Sequence, residues 1–204
     1  MIAIIDYGLG NVDAFANIYR RLGAPFKLAK TGDELRSASK IILPGVGAFD
    51  WAMSKLEAAG LLNDLNHLVL EKRIPILGVC VGMQIMARSS DEGSRPGLGW
   101  IDAKVKRFDV KLFEQKMPLP HMGWNNVSAR SECKLFNNIK SPNYYFLHSY
   151  FLEPCNRVQA VGLTKYGIEF PSAIEHGNIY ATQFHPEKSH SCGVKLLENF
   201  ARYC

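Results

Sequence analysis

The sequence predicts an α/β protein, with a mainly parallel central sheet carrying helices on both faces and a small antiparallel sheet besides. Three observations lead there. Short apolar runs at 2–5, 26–29, 40–43 and 74–79 alternate with stretches of helical spacing in the first half of the chain. Each run is closed by turn-forming residues and the connections are short, as in successive β-α-β units. After about residue 100 the pattern changes to strand-like runs at 105–108, 144–152, 159–164, 171–175 and 178–184, separated by turn-rich segments; that reads as antiparallel pairing.

Ile2-Ala3-Ile4-Ile5 is continuously apolar and ends in Asp6-Tyr7-Gly8-Leu9-Gly10-Asn11. An unbroken apolar run bounded by a Gly-rich turn fits a strand buried on both faces. Residues 11–22 place Val12, Phe15, Ile18, Tyr19 and Leu22 at helical spacing, with Gly23 as a stop. A strand over 26–29, a short helix over 31–40 and a strand over 40–43 follow, the last ending in Pro44-Gly45-Val46-Gly47, where the chain is expected to turn sharply. Residues 49–59 and 61–72 read as helices, 74–79 as a strand, and a further helix is expected over 83–88. The last helix is expected at about 192–202, with Val194, Leu197, Phe200 and Ala201 on one face. No linker, repeat or low-complexity tract interrupts the chain, so residues 1–204 are expected to form one domain.

The composition, 47% hydrophobic and 21% charged, is that of an ordinary globular chain. The net charge of +5 is spread without a basic block or a basic motif interleaved with aromatics, which argues against nucleic-acid binding. Cys80, Cys133, Cys155, Cys192 and Cys204 are odd in number and contain no CxxC pair. That argues against a disulfide framework or zinc ribbon and suits a reducing cytoplasm; no metal or cofactor is expected. There is no secretory n-region and h-region, and no apolar stretch nears the ~20 residues that span a bilayer, so no membrane contact is expected.

Three segments carry chemistry. Gly78-Val79-Cys80-Val81-Gly82 follows an apolar strand and opens a helix. A nucleophile flanked by two glycines in that context matches the sharp elbow that lifts a side chain clear of the sheet, and a helix N-terminus beneath it favours a thiolate and an oxyanion. The same five residues also fit a buried structural cysteine between two small neighbours. A thiol needs a base and an orienting carboxylate. Gln183-Phe184-His185-Pro186-Glu187 offers both where a strand ends, with His185 and Glu187 projecting the same way if the backbone is extended. His67, His176 and His190 read as surface positions. Pro44-Gly45-Val46-Gly47 can turn backbone N–H groups toward a developing oxyanion, though by itself the motif fits an ordinary strand-to-helix turn better.

Together, residues 44–47, GVCVGMQ at 78–84 and QFHPEKS at 183–189 resemble the class I, triad-type glutamine amidotransferases. IIDYGLGN at 4–11, HMGWNNV at 121–127 and YFLHSY at 145–150 fall in the same order, so the resemblance covers essentially the whole chain. Within the family the set is most similar to the glutaminase subunits of imidazole glycerol phosphate synthases. The resemblance implies a flavodoxin-like fold and hydrolysis of L-glutamine through a cysteine thioester. It implies Cys80 as nucleophile, His185 as base and Glu187 as its orienting carboxylate. It further implies an oxyanion site at the backbone of Val46, Gly47 and Val81, and glutamine binding by Gly45, Gly82, Gln84, Ser149 and Tyr150. The ammonia would pass to a synthase partner, a (β/α)8-barrel cyclase, in a heterodimer, with Trp124, Asn125 and Lys188 facing that partner.

The chain departs from that branch at Trp100, where a smaller apolar residue is usual, and residues 166–190 are also similar to a paralogous branch. Subunits of that second branch supply ammonia to amidotransferases acting on N-acetyl sugars in surface-polysaccharide synthesis. A non-catalytic scaffold subunit of the same fold is the alternative of another class. It would lack one of Cys80, His185 and Glu187, and all three are present.

Overall fold

The structure, a computed structural model, describes residues 1–130, 132–155 and 159–204. The first half contains β1 (Ile2–Ile5), α1 (Val12–Arg21), β2 (Phe26–Ala29), α2 (Gly32–Arg36), β3 (Lys40–Gly45), α3 (Phe49–Ala58), α4 (Leu62–Asn66), β4 (Ile76–Cys80) and α5 (Val81–Gln84). It continues through β5 (Ser89–Ser90), β6 (Ala103–Arg107), β7 (His121–Asn126), β8 (Ser128–Ala129), β9 (Asn143–His148) and β10 (Tyr150–Pro154). It closes with β11 (Ala160–Tyr166), β12 (Ile168–His176), β13 (Ile179–Thr182) and α6 (His190–Tyr203).

The central sheet has the order β2-β1-β3-β4-β13-β12-β11-β8. Its first five strands run parallel and the last three extend it antiparallel. Ile2 to Ile5, Ile41 to Leu43, Ile76, Leu77 and Ile179 to Ala181 are all buried, as strands covered on both faces require. Each fully buried Ile or Leu contributes about 1.5–3 kcal/mol, so these strands are the main stabilising layer. Right-handed crossovers put α1 on one face and α2 to α4 on the other. In agreement, α1 packs on α6 while α2 packs on α4. Among the described residues no helix is long and apolar enough to cross a membrane.

Several elements differ from the sequence expectation. β3 runs on through Pro44 and Gly45, pairing Gly45 with Cys80, and the turn falls at Val46-Gly47, where Gly47 has φ +88°. Pro44 is tolerated there because pairing with β1 stops at Ile42, so its missing N–H leaves no gap in the ladder. The helix expected over 31–40 is shorter, closed at its start by a capping box of Thr31 and Glu34. The helix expected over 61–72 is α4 continued as a π-helical turn, His67–Glu71.

The helix expected over 83–88 is the single turn α5. Arg88 N–H already donates to Ala103 O, drawing the chain into a three-stranded sheet of β10, β6 and β5. The run at 144–152 is two strands in two different sheets: β9 pairs with β7, β10 pairs with β6, and Ser149 is the hinge between them. There are thus two small sheets rather than one. β7 escaped the sequence reading because its inward positions are His121, Gly123 and Asn125, so its period of two is not written in apolar residues. On α6 the buried face is Leu196, Leu197 and Phe200 with Asn199, whose amide donates to Leu135 O and Asn137 O; Val194 and Ala201 lie half-buried beside it.

The tightest backbone contact joins β3 to α5. A Cβ on Gly82 would lie 2.0 Å from Leu43 O, and one on Gly45 2.3 Å from Gly82 N. Gly82→Ala is therefore expected to destabilise the fold by about 1–3 kcal/mol in urea unfolding. Wild-type stability in that variant would mean the two backbones are free to separate.

Candidate active site

The carboxyl ends of β3, β4 and β13 lie side by side, the edge where parallel α/β sheets place their ligands. Cys80 ends β4 with φ 55° and ψ −113°, a conformation an L-residue adopts at a cost of about 1–3 kcal/mol. The elbow is thus real, but its strain sits on Cys80 itself. Gly78 and Gly82 serve by lacking a Cβ: one on Gly78 would meet Met86 Cε at 2.7 Å and Gly82 O at 2.8 Å. Since α5 is a single turn, its macrodipole is small, and the individual backbone N–H groups after Cys80 are what it offers an oxyanion.

Cys80 opens into a cavity of about 280 Å³. Val46 and Gly47 from the end of β3, Val81 and Gln84 from α5, Ser149 and Tyr150 from the hinge, and His185 all line it. The structure therefore unites most of the residues singled out in the sequence. Gly45 and Gly82 are exceptions. They are buried in the contact between β3 and α5 and shape the cavity from behind instead of lining it.

His185 Nδ1 lies 2.8 Å from Glu187 Oε1, with both side chains buried. The backbone between them is a 3-10 turn, Pro186–Lys188, not the extended chain expected, and the pair meets by curling back. The imidazole is placed from both sides. His185 N–H donates to Tyr145 O at 2.9 Å, and Ser189 Oγ donates to His185 O while accepting from Tyr145 N–H at 3.0 Å. Burial is the largest single influence on His185 and disfavours its charge. The hydrogen bonds and negative charges of Cys80 and Glu187 together outweigh it and raise the pKa to about 10. Glu187 Oε2 has no hydrogen-bond partner among the described residues, so the imidazolium is the main compensation for that buried carboxylate. The imidazole is poised to hold a proton taken from the thiol.

Beneath the sulfur, Gln183 Nε2 donates toward Cys80 Sγ at 3.7 Å. Gln84 Nε2 donates to Gln183 Oε1 at 3.0 Å and to Tyr150 O at 3.1 Å. With both amide hydrogens committed, Gln84 offers a ligand its acceptor oxygen.

Sequence reasoning passed over Glu92, Leu147, His148 and Ser189. Glu92 lines the cavity, and its Oε2 accepts from Phe49 N–H at 2.8 Å, capping α3, whose N-cap Ala48 has no side-chain acceptor. Only its charge, suited to an ammonium group, could have marked it. His148 and Leu147 stood within YFLHSY, and Ser189 within QFHPEKS.

Of the positions expected to face a partner, Trp124 is exposed and stacks on the His190 ring at 5.0 Å, and Lys188 Nζ sits 5.9 Å from the Tyr145 ring centroid. Asn125 points the other way, as its neighbour on a strand must. Its amide reaches Lys165 O at 3.0 Å and His121 Nε2 at 3.2 Å. Trp100 is buried and donates to Asn66 Oδ1 at 2.8 Å, so its extra bulk is taken up against α4.

Comparison with known proteins bears on this arrangement. The family described as "Glutamine amidotransferase class-I" matches residues 3–204. The chain is 48% identical over 202 residues to imidazole glycerol phosphate synthase subunit HisH of Leptospira borgpetersenii, covering 98% of this chain and 99% of that one. It is 49% identical, with the same coverage, to the subunit of that name from Bdellovibrio bacteriovorus. A solved structure described as a glutamine amidotransferase superposes with a TM-score of 0.75 at 18% identity, covering 98% of this chain and 99% of that chain, which shows the common fold.

The raised His185 pKa sets a pH dependence. A base whose folded pKa lies above its unfolded value of about 6.5 stabilises the fold fully below about pH 6.5 and loses that contribution as pH rises through about 10. Glu187→Gln removes the compensating charge but keeps an acceptor. The variant is expected to be less stable than wild type by about 2 kcal/mol near neutral pH, with the gap closing toward pH 10. A gap that stays constant across that range in denaturant titrations would mean His185 is not charged in the folded protein.

Proposed function

This chain belongs to the class-I glutamine amidotransferase family, and we propose that it is the glutaminase subunit of an imidazole glycerol phosphate synthase. The observation that carries the chemistry is a strained cysteine sharing one cavity with His185, whose buried partner Glu187 helps hold it as the imidazolium. The acceptor is supported by the full-length relatives, which bear the HisH name at 48–49% identity. They favour this acceptor over an N-acetyl sugar. The assembled triad argues against a scaffold without activity.

In this reading glutamine enters with its carboxamide toward Cys80. Its α-ammonium meets Glu92 and the Gln84 oxygen, and its α-carboxylate meets the backbone at Ser149 and Tyr150. His185 Nε2 already holds the thiol proton, so the sulfur attacks the carboxamide carbon as a thiolate, while Glu187 holds Nδ1–H and the imidazolium charge. N–H groups of Val81 and of Val46 or Gly47 receive the oxyanion. The C–N bond breaks as His185 returns the proton to the leaving nitrogen, releasing ammonia and leaving a γ-glutamyl thioester. Water, deprotonated by His185, then frees glutamate. Ammonia released into water at neutral pH would be protonated and lose its nucleophilicity, which favours delivery to a docked partner. The partner is a synthase subunit, and we read it as a (β/α)8-barrel cyclase bound in a heterodimer across the Trp124–Lys188 face. Residues 1–204 act as one domain.

Cys80→Ala is expected to lower glutamine hydrolysis by the complex at least about a thousandfold while leaving the protein folded. A glutamine-mimicking diazoketone should label Cys80 and spare Cys155, although Cys155 is exposed and Cys80 buried. Retained activity, or labelling that follows exposure, would remove Cys80 from the mechanism. Glu92→Gln keeps the cap on α3 but loses the charge. It is expected to raise KM about tenfold with kcat within about twofold, and an unchanged KM would exclude Glu92 from substrate binding.

A further inference from the structure

Behind the hinge at Ser149, two histidines form a hydrogen-bonded chain that the reaction above does not use. His148 Nδ1 lies 2.7 Å from Tyr150 O, His121 Nδ1 lies 2.9 Å from His148 Nε2, and Asn125 Nδ2 lies 3.2 Å from His121 Nε2. A carbonyl oxygen can only accept, so His148 Nδ1 carries the hydrogen and its Nε2 is an acceptor. His121 Nδ1 must then be the donor and His121 Nε2 the acceptor for the Asn125 amide. Every hydrogen in the chain points toward Tyr150, and one added proton on either ring would set two N–H groups against each other.

The surroundings keep that proton off. His121 and His148 are both buried. His121 is stacked between Phe146 at 4.6 Å and Tyr166 at 4.0 Å, and His148 packs against Phe108, Phe146 and Phe170. Burial lowers the His121 pKa to about 4; burial first, then His121 and the nearby His185, lower that of His148 to about 3. Tyr150 O receives a second hydrogen bond from Gln84, whose amide also reaches the Gln183 that donates to Cys80 Sγ. The Tyr150 carbonyl is therefore the point where a chain from β7 meets the amide network beneath the nucleophile.

We propose that His121 and His148 are positioning residues for the proposed glutaminase reaction: as neutral Nδ1–H tautomers relayed from Asn125, they fix the Tyr150 carbonyl and so the backbone that receives the glutamine α-carboxylate. Their role is to hold the substrate-binding hinge, not to move protons. This rests on the glutaminase reading for its kinetic consequence but not for its chemistry. It also gives Asn125 a task inside the molecule, one residue from exposed Trp124.

The test separates relay from packing. His121→Asn keeps an amide donor near the Nδ1 position and loses the aromatic stack; His121→Phe keeps the stack and loses the donor. A relay predicts that His121→Phe raises the KM for glutamine about tenfold with kcat within about threefold, and that His121→Asn stays within about threefold of wild type on both. The opposite ranking, or equal loss in both, would overturn it and leave His121 as packing alone. Nitrogen-15 NMR of the wild-type chain is an independent readout that needs no variant to fold. Both rings should show the Nδ1–H tautomer, and an Nε2–H tautomer on either one sinks the proposal. If wild-type complex fails to hydrolyse glutamine, the glutaminase reading falls, and the NMR result still decides the relay.

Discussion

The active site depends on one close contact, the meeting of β3 with the start of α5. Gly45 lies against Gly82, and Gly82 against the Leu43 carbonyl, at distances where any Cβ would collide. That approach lets β4 end in a residue with φ 55° and projects the Cys80 side chain into the cavity instead of into the sheet. The two elements can come so near only because the flanking strands, apolar on both faces, hold the sheet rigid beneath them. The strain on Cys80 is thus stored in a contact between main chains, where side-chain motion cannot release it.

Two histidines on the wall of one cavity show when partners overrule burial and when they do not. His185 and His148 are both buried, and burial alone disfavours a charge on either. His185 faces the Glu187 carboxylate and the Cys80 sulfur and is raised. His148 is lowered by burial first, because its hydrogen bond to the Tyr150 carbonyl raises it too little to offset burial and the neighbouring imidazoles. One cavity therefore holds an imidazole suited to carrying a proton, beside Cys80, and another suited to refusing one, behind Ser149.

The division of labour between the sheets follows from the same geometry. The central sheet supplies Cys80, the Val46-Gly47 turn and His185 from adjacent strand ends. The two small sheets supply the other wall: β9 clamps the His185 backbone through Tyr145, and the hinge between β9 and β10 presents Ser149 and Tyr150. Because β7 pairs with β9 along its whole length, a face of β7 carrying Trp124 is tied to the strand that holds both the His185 backbone and the hinge.

The parallel half of the fold was legible in the sequence, because a strand buried on both faces needs only a run such as Ile2 to Ile5 or Ile76 to Val79. The candidate triad could be named from the sequence too, since Cys80 stands in GVCVG and His185 and Glu187 in QFHPEKS. What the sequence could not reveal depends on who meets whom. The 144–152 run reads as one strand, and only its two different partners break it at Ser149. β7 hides its period behind His121 and Asn125, whose inward positions make sense only once Phe146, Tyr166 and His148 surround them. Asn125, next to Trp124 in sequence, faces the opposite side because strand neighbours do. The sequence by itself singled out Cys80, His185 and Glu187 as the candidate chemical groups. The tertiary structure decided their charge, tautomer and strain, because these are set by groups brought within about 3–4 Å from distant parts of the chain.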